Sequence, residues 1–449
     1  MPILRFFQAL FSQQRLAGGA FVLAMTQFGA SLAGLFRDRI LSATFPPGID
    51  QVDVVSVYIA AFRPSDLLFQ IFIMSAFSVA LVPLLAGHLA RGRKEEMHAL
   101  LSSTLIVSSL FFGIVALLLA IFFDVLAPFF TQFTGERLAL YITFGRFACL
   151  TNFLFVIGNA CGQYLVTRQA YWMYGITPIL YTLGTIMGTL WLTPLYGVMG
   201  PMFGTIAGAL IYTIIRWIAC MQNGFRFKRM KFVHPEIHEM GWLMLPRMAA
   251  LGILQLELLL FDRVASGLDL GSVTINAYAR NFQSAAVGIV GIALAQSAYS
   301  LLSQAIARGE VERFWSYLKK GSSLTLALTI PGAIVLYFLA PLAAKIVHLT
   351  EPTVIHTFII ALGIYAISIP FESLNHLLYR ATYATKNTVM PAILTVVGGI
   401  IAIAIAWIYA GTYGVYAIAW GYVSGYVVQF VGLMIFLRTR IKITVPSRR

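Results

Sequence analysis

Eight ionisable side chains in an otherwise apolar chain have the chemistry to hold a ligand: Arg37, Asp38, Arg63, Asp66, Arg247, Glu257, Asp262 and Arg280. Arginine forks bind phosphate oxygens bidentately through charge-assisted hydrogen bonds, so the cations among them point to an anionic ligand. Arg63-Pro64-Ser65-Asp66 interrupts an apolar run near its midpoint, where a charge costs about 2.5 to 3.5 kcal/mol on insertion scales. Pro64 removes an amide and predicts a bend near Arg63, leaving backbone groups for a cavity or a neighbouring helix to satisfy. The competing reading is structural: Arg37 and Arg39 reach an interface, and Arg63 pairs with Asp66 inside the protein. Arg146 and Arg216 read as lone charges with structural roles, and His376 as a core histidine. Clustered carboxylates for a metal or a positioned base are not found; no metal site and no cofactor is expected.

Composition decides what positions these residues. Of 449 residues 59% are hydrophobic and 11% charged, with mean hydropathy +0.83, whereas a soluble domain carries about a quarter charged residues. The chain therefore reads as an all-α polytopic membrane protein. Its net charge of +14 does not imply nucleic acid, because the basic residues sit in short segments between apolar runs. Cys149, Cys161 and Cys220 lie inside apolar runs and read as buried thiols. The first long run ends in Arg37-Asp38-Arg39 and reads as a retained helix, not a signal peptide.

About twelve segments are long enough to span a bilayer, near 14–37, 52–88, 98–130, 137–167, 171–193, 197–222, 238–263, 272–306, 314–341, 352–380, 388–410 and 413–438. Alternate connections collect most Lys and Arg; the opposite set receives only Arg37, Arg39, Arg137, Arg263 and Lys345. By the positive-inside rule both termini are cytoplasmic. The chain also repeats at about 217 residues: ARGRKEEMHALLSS from Ala90 matches ARGEVERFWSYLKK from Ala307, and YGVMGPMFGTIAG from Tyr196 matches YGVYAIAWGYVSG from Tyr413. Two parallel six-helix lobes follow, 1–222 and 239–449, joined by a basic cytoplasmic linker at 223–238. Gly204 and Gly208, with their counterparts Gly421 and Gly425, predict close helix packing within each lobe. By the repeat, the first, second, seventh and eighth helices wall a polar pathway, and the second half adds Glu372, Asn375 and His376 on the tenth.

Two stretches carry a family resemblance. GLFRDRILSATF with SAFSVALVPLLAGHLARG, and LLLFDRVASGL with GSVTINAYARNFQSAAVGIVGIAL, are similar to the first two and the seventh and eighth helices of the MurJ/MviN lipid II flippases of the MOP exporter superfamily. The resemblance implies a V-shaped bundle of two lobes in a bacterial inner membrane. It would carry the undecaprenyl-pyrophosphate-linked peptidoglycan precursor outward by alternating access, in cell-wall biogenesis. Arg37-Asp38 and Asp262 match family positions. Ser31, Phe69, Gln70 and Asn281 stand where the family has arginines, and Arg63, Arg247 and Arg280 lie near enough in sequence to take over. The family usually has fourteen helices, the last pair making a groove for the lipid tail; with twelve, the opening between lobes is the expected route.

The expected partners are a lipid-linked anionic substrate and membrane lipids; no oligomer is required. A flippase for another polyprenyl-linked oligosaccharide would handle the same pyrophosphate. A MOP-type exporter of cationic drugs would need a net acidic lining, against the balance of charges here. A membrane enzyme acting on polyprenyl phosphates lacks its carboxylate cluster. Membrane potential is worth about 2.3 kcal/mol per charge per 100 mV and would favour outward passage of an anionic headgroup, with an ion gradient through Asp38, Asp66 or Glu257 as the other drive.

Overall fold

The computed structural model describes residues 16–75, 77, 81–228 and 235–444, with the side chains of 16, 17, 20, 235, 237, 239–247, 250 and 441–444 outside the description. Among the described residues every regular element is helical. Twelve long helices follow the expected segments: α1 Leu16–Thr44, α2 Val54–Phe69, α3 Lys94–Ile121, α4 Gly135–Thr167, α5 Tyr171–Met187, α6 Gly200–Gln222, α7 Pro235–Ser266, α8 Ser272–Val287, α9 Val311–Phe338, α10 Pro352–Ala384, α11 Val389–Tyr413 and α12 Val415–Thr444. By length and apolarity nine stretches of the described residues qualify as membrane spans, and one of them, Tyr171–Gln222, holds both α5 and α6. The long helices α1 and α7 stand outside those nine. In α9 only 11% of the most apolar window is buried. Side chains such as Leu324, Ile334 and Phe338 therefore face outward, an arrangement that a bilayer stabilises and water does not.

The sequence repeat is a backbone repeat. Left-handed residues recur in pairs about 217 positions apart: Asp53 with Gly271, Gly92 with Gly309, Gln169 with Lys386, and Gly197 with Gly414. At the last pair φ and ψ are 56° and −135°, and 56° and −139°, a region that side chains with a Cβ avoid. Both halves also carry a π-turn at the same place, Gln70–Met74 after α2 and Gly288–Ile292 after α8. The helices then continue as Val82–Ala90 and Ala293–Ala307. Pro64 lies inside α2, yet the departure from α geometry falls later, at Gln70. Since Phe282 occupies the position matching Pro64, the irregular turn belongs to the repeated architecture and not to the proline.

Helices α5 and α6 pack as an antiparallel hairpin. A Cβ on Gly184 or Gly188 would collide with the backbone of Gly208 or Gly204. Gly398 and Gly425, with Ala402 and Gly421, do the same between α11 and α12. Small residues at these crossings let backbones approach where no hydrophobic effect drives helices together.

Contacts divide the chain into two units: the described residues of Met1–Phe45 with Val57–Gln255, and Pro46–Ser56 with Leu256–Arg449. The short stretch Pro46–Ser56 thus belongs with the second unit. There Asp53 Oδ2 accepts from the Gly271 amide at 3.1 Å, and Ser56 Oγ lies 2.9 Å from Thr274 Oγ1. Each contact joins a residue to its own repeat counterpart. In the first unit the segment after α6 is docked. Phe225 is buried among His98, Tyr164 and Trp217, Lys228 pairs with Glu95, and Glu236 bonds His88 Nε2 at 2.9 Å. The two cationic runs around Arg91 and Arg226 therefore lie at one end of this unit.

Gly188→Ala is expected to lower stability by about 1–3 kcal/mol, the range for overpacking, read as a lower thermal midpoint of the purified protein in detergent. Gly332→Ala, where a Cβ meets nothing within 4 Å, is expected to leave the midpoint unchanged or raise it.

Candidate functional site

Unit 1 gathers a polar set on α1, α2, α4 and α5. Arg37 turns back on its neighbour, with Nε and Nη2 donating to Asp38 Oδ1 at 3.0 and 2.7 Å; the side chains are 28% and 5% exposed. Asp66 accepts from Asn152 Nδ2 at 2.8 Å, and the same amide nitrogen is 2.7 Å from Ser65 Oγ. Arg63 is within electrostatic range of Asp66. Tyr181 lies within such range of Arg37, Tyr58 and Asp66 together, so α5 joins the two charged pairs. A hydroxyl chain runs behind them: Tyr58 to Thr205 at 2.8 Å and Thr205 to Thr185 at 2.8 Å. The side chain of Arg247, expected to join this set, lies outside the described residues.

Unit 2 holds the second set on α7, α8, α10 and α12. Glu257 is 7% exposed and lies within electrostatic range of Arg280 and Glu372. Glu372 is engaged through one oxygen: its Oε2 accepts from Gln283 Nε2 at 2.7 Å and from the Tyr422 hydroxyl at 3.0 Å. Gln283 also donates to Ser368 at 2.9 Å. Asp262 accepts from Asn276 Nδ2 at 3.4 Å, and Tyr365 donates to Asn276 Oδ1 at 2.5 Å. Arg280 differs: its Nε is buried with no hydrogen-bond partner among the described residues. Arg263 stacks on Trp407, its guanidinium 4.7 Å from the ring centroid.

The structure brings Arg37 to Asp38, and Glu257 to Arg280 with Glu372 between helices. It adds Asn152, Tyr181, Tyr365 and Tyr422, which sequence reasoning passed over because a neutral amide or an aromatic ring in an apolar run carries no signal of its own. Arg146 is corrected from a lone charge to a paired one. Its Nε donates to the Ala120 carbonyl at 3.0 Å, and Asp124 lies 3.7 Å from Nη2.

Residues 52–448 match the family model described as lipid II flippase MurJ. The chain belongs to the MurJ family of lipid II flippases. A relative named as a probable lipid II flippase MurJ from Bdellovibrio bacteriovorus is 24% identical over 95% of this chain and 82% of its own length. One from Thermotoga maritima is 25% identical over 92% and 83%. Among solved structures, a lipid II flippase MurJ in an inward closed conformation superposes with TM-score 0.78 at 20% identity, covering 93% of this chain and 87% of the other. An inward-facing multidrug resistance MATE transporter of the MOP superfamily gives 0.79 at 15% identity, over 94% and 96%. Family and fold place the chain among multi-pass membrane transporters of a lipid-linked substrate, not among enzymes.

Asn152→Leu is expected to cost unit 1 about 1–3 kcal/mol, the usual penalty for stranding buried polar partners, measured by thermal unfolding in detergent. Phe153→Leu, a change on the same helix outside the polar set, is expected to cost less.

Proposed function

We propose that this chain flips the undecaprenyl-pyrophosphate-linked peptidoglycan precursor from the inner to the outer leaflet of a bacterial inner membrane, by alternating access of two lobes. The family match over residues 52–448 carries this reading. The lobes are 1–222 and 239–449, with 223–238 as a cytoplasmic tether and both termini in the cytoplasm.

In this reading Arg37, Arg63, Arg247 and Arg280 supply the positive wall that receives the pyrophosphate, and Asp38, Asp66, Glu257 and Asp262 hold those cations when no ligand is present. Arg37 supports the assignment, since it spends Nε and Nη2 on a single oxygen of Asp38 and keeps its other donors. Arg280 supports it through its unpartnered Nε. A pyrophosphate offers each fork oxygen pairs of matching geometry. The drive is the inside-negative potential, which acts on the anionic headgroup going out and on the empty cationic site returning.

The variant Arg37→Ala is expected to abolish complementation in cells depleted of their own flippase while the protein still inserts and folds. Arg37→Lys is expected to restore it only partly, because an ammonium lacks the planar fork. Full complementation by Arg37→Ala would remove this residue from the site.

Cysteines near Asp50 should react with impermeant reagent in intact cells, and one at Arg91 should not.

A further inference from the structure

Arg216 on α6 is 1% exposed, and every partner it finds among the described residues is neutral. Nε donates to Thr177 Oγ1 at 2.8 Å, Nη2 to the Tyr174 carbonyl at 2.9 Å, and Nη1 to the Gly158 carbonyl and Asn159 Oδ1 at 3.3 and 3.5 Å. The rings of Tyr174 and Tyr212 lie 4.6 and 4.1 Å from its charge. Dipoles and ring faces lessen the cost of burying a cation but do not neutralise it.

Room has been made for this group. A Cβ at Gly162 would stand 2.6 Å from Nη1, and one at Gly158 would meet Tyr212, so α4 is thinned on successive turns along the side chain. Across from it, Gly175 lets α5 come up against Thr26 of α1. Between these helices lies a cavity of about 420 Å³, bordered by Arg216, Tyr212, Tyr174, Asn159 and Thr26, with the exposed Gln27 at its rim.

The repeat provides an internal control. The position 217 residues on is Leu433, 0% exposed within an apolar cluster that includes Leu377 and Leu437, with Tyr379 and Leu394 packed on it. The same bundle position thus closes with a leucine and no cavity charge. The repeated architecture does not require a cation at this position. Arg216 lies six residues before the end of α6, about 9 Å at 1.5 Å per residue.

We infer that this cavity within unit 1 is a phosphate-binding site, with Arg216 as its cation, distinct from the Arg37 set. The phosphate comes from a lipid headgroup or from solution. The inference needs neither the transport reading nor any particular sidedness, and its test reads binding, so the two can fail separately.

The experiment is amide hydrogen exchange of the full chain in phosphate-free maltoside micelles, followed on peptides covering 171–178 and 212–222. One arm adds inorganic phosphate; the other adds phosphatidylglycerol to the same micelles without it. Exchange in both peptides should slow at least threefold in one arm or both, and the responding arm names the source. Ala30→Phe, which fills the cavity and leaves Arg216 with its partners, should abolish the effect, as should Arg216→Gln. No slowing in either arm, or equal slowing in Ala30→Phe, would overturn the proposal and leave Arg216 a structural cation, even if Arg216→Gln failed to fold.

Discussion

A charge inside an apolar helical bundle has no water to fall back on, so it must be met by the chain or by a ligand, and both units are arranged around that demand. Asp66 is met by Asn152, and Glu372 by Gln283 and Tyr422. Arg37 and Arg280 are met only in part. Engaged groups tie helices together; partly engaged ones retain hydrogen-bonding capacity for something that comes and goes.

The repeat shows how one backbone serves two purposes. Left-handed turns, π-turns and glycine-lined hairpins recur in both halves at a spacing of about 217 residues, because they are what lets six helices fold and pack. The polar side chains recur only in part. Asn152 answers Asp66 in the first unit, whereas a tyrosine and a glutamine answer Glu372 in the second; Leu433 stands at the position that corresponds to Arg216.

Much of this was legible beforehand. Apolar length marked a segment for each of the twelve long helices, although the segments expected at 52–88 and 272–306 run on past α2 and α8 through the π-turns into the helices that follow, and paired motifs such as those at Tyr196 and Tyr413 disclosed the repeat. Arg37, Asp38, Glu257 and Arg280 stood out for the same reason: a charge in an apolar run is conspicuous. The partners were not legible. Asn152, Tyr365 and Tyr422 blend into their helices, and which charge each one meets depends on helix rotation and packing. The π-turns were hidden as well, since Gln70–Met74 and Gly288–Ile292 share no residue pattern. Pro64 drew attention to a bend near Arg63, while the irregular turn is set by the repeated architecture further along.

The central claim is that these buried charges move a lipid pyrophosphate between leaflets without altering it. The direct measurement uses the purified full chain in liposomes holding the pyrophosphate-linked precursor in one leaflet, with an imposed potential. Headgroup accessibility from the opposite side is followed over time, and the lipid is then recovered for mass analysis. The account predicts protein-dependent transfer that follows the sign of the potential and returns chemically intact lipid. Failure of the headgroup to cross, or a recovered lipid of altered mass, would contradict it.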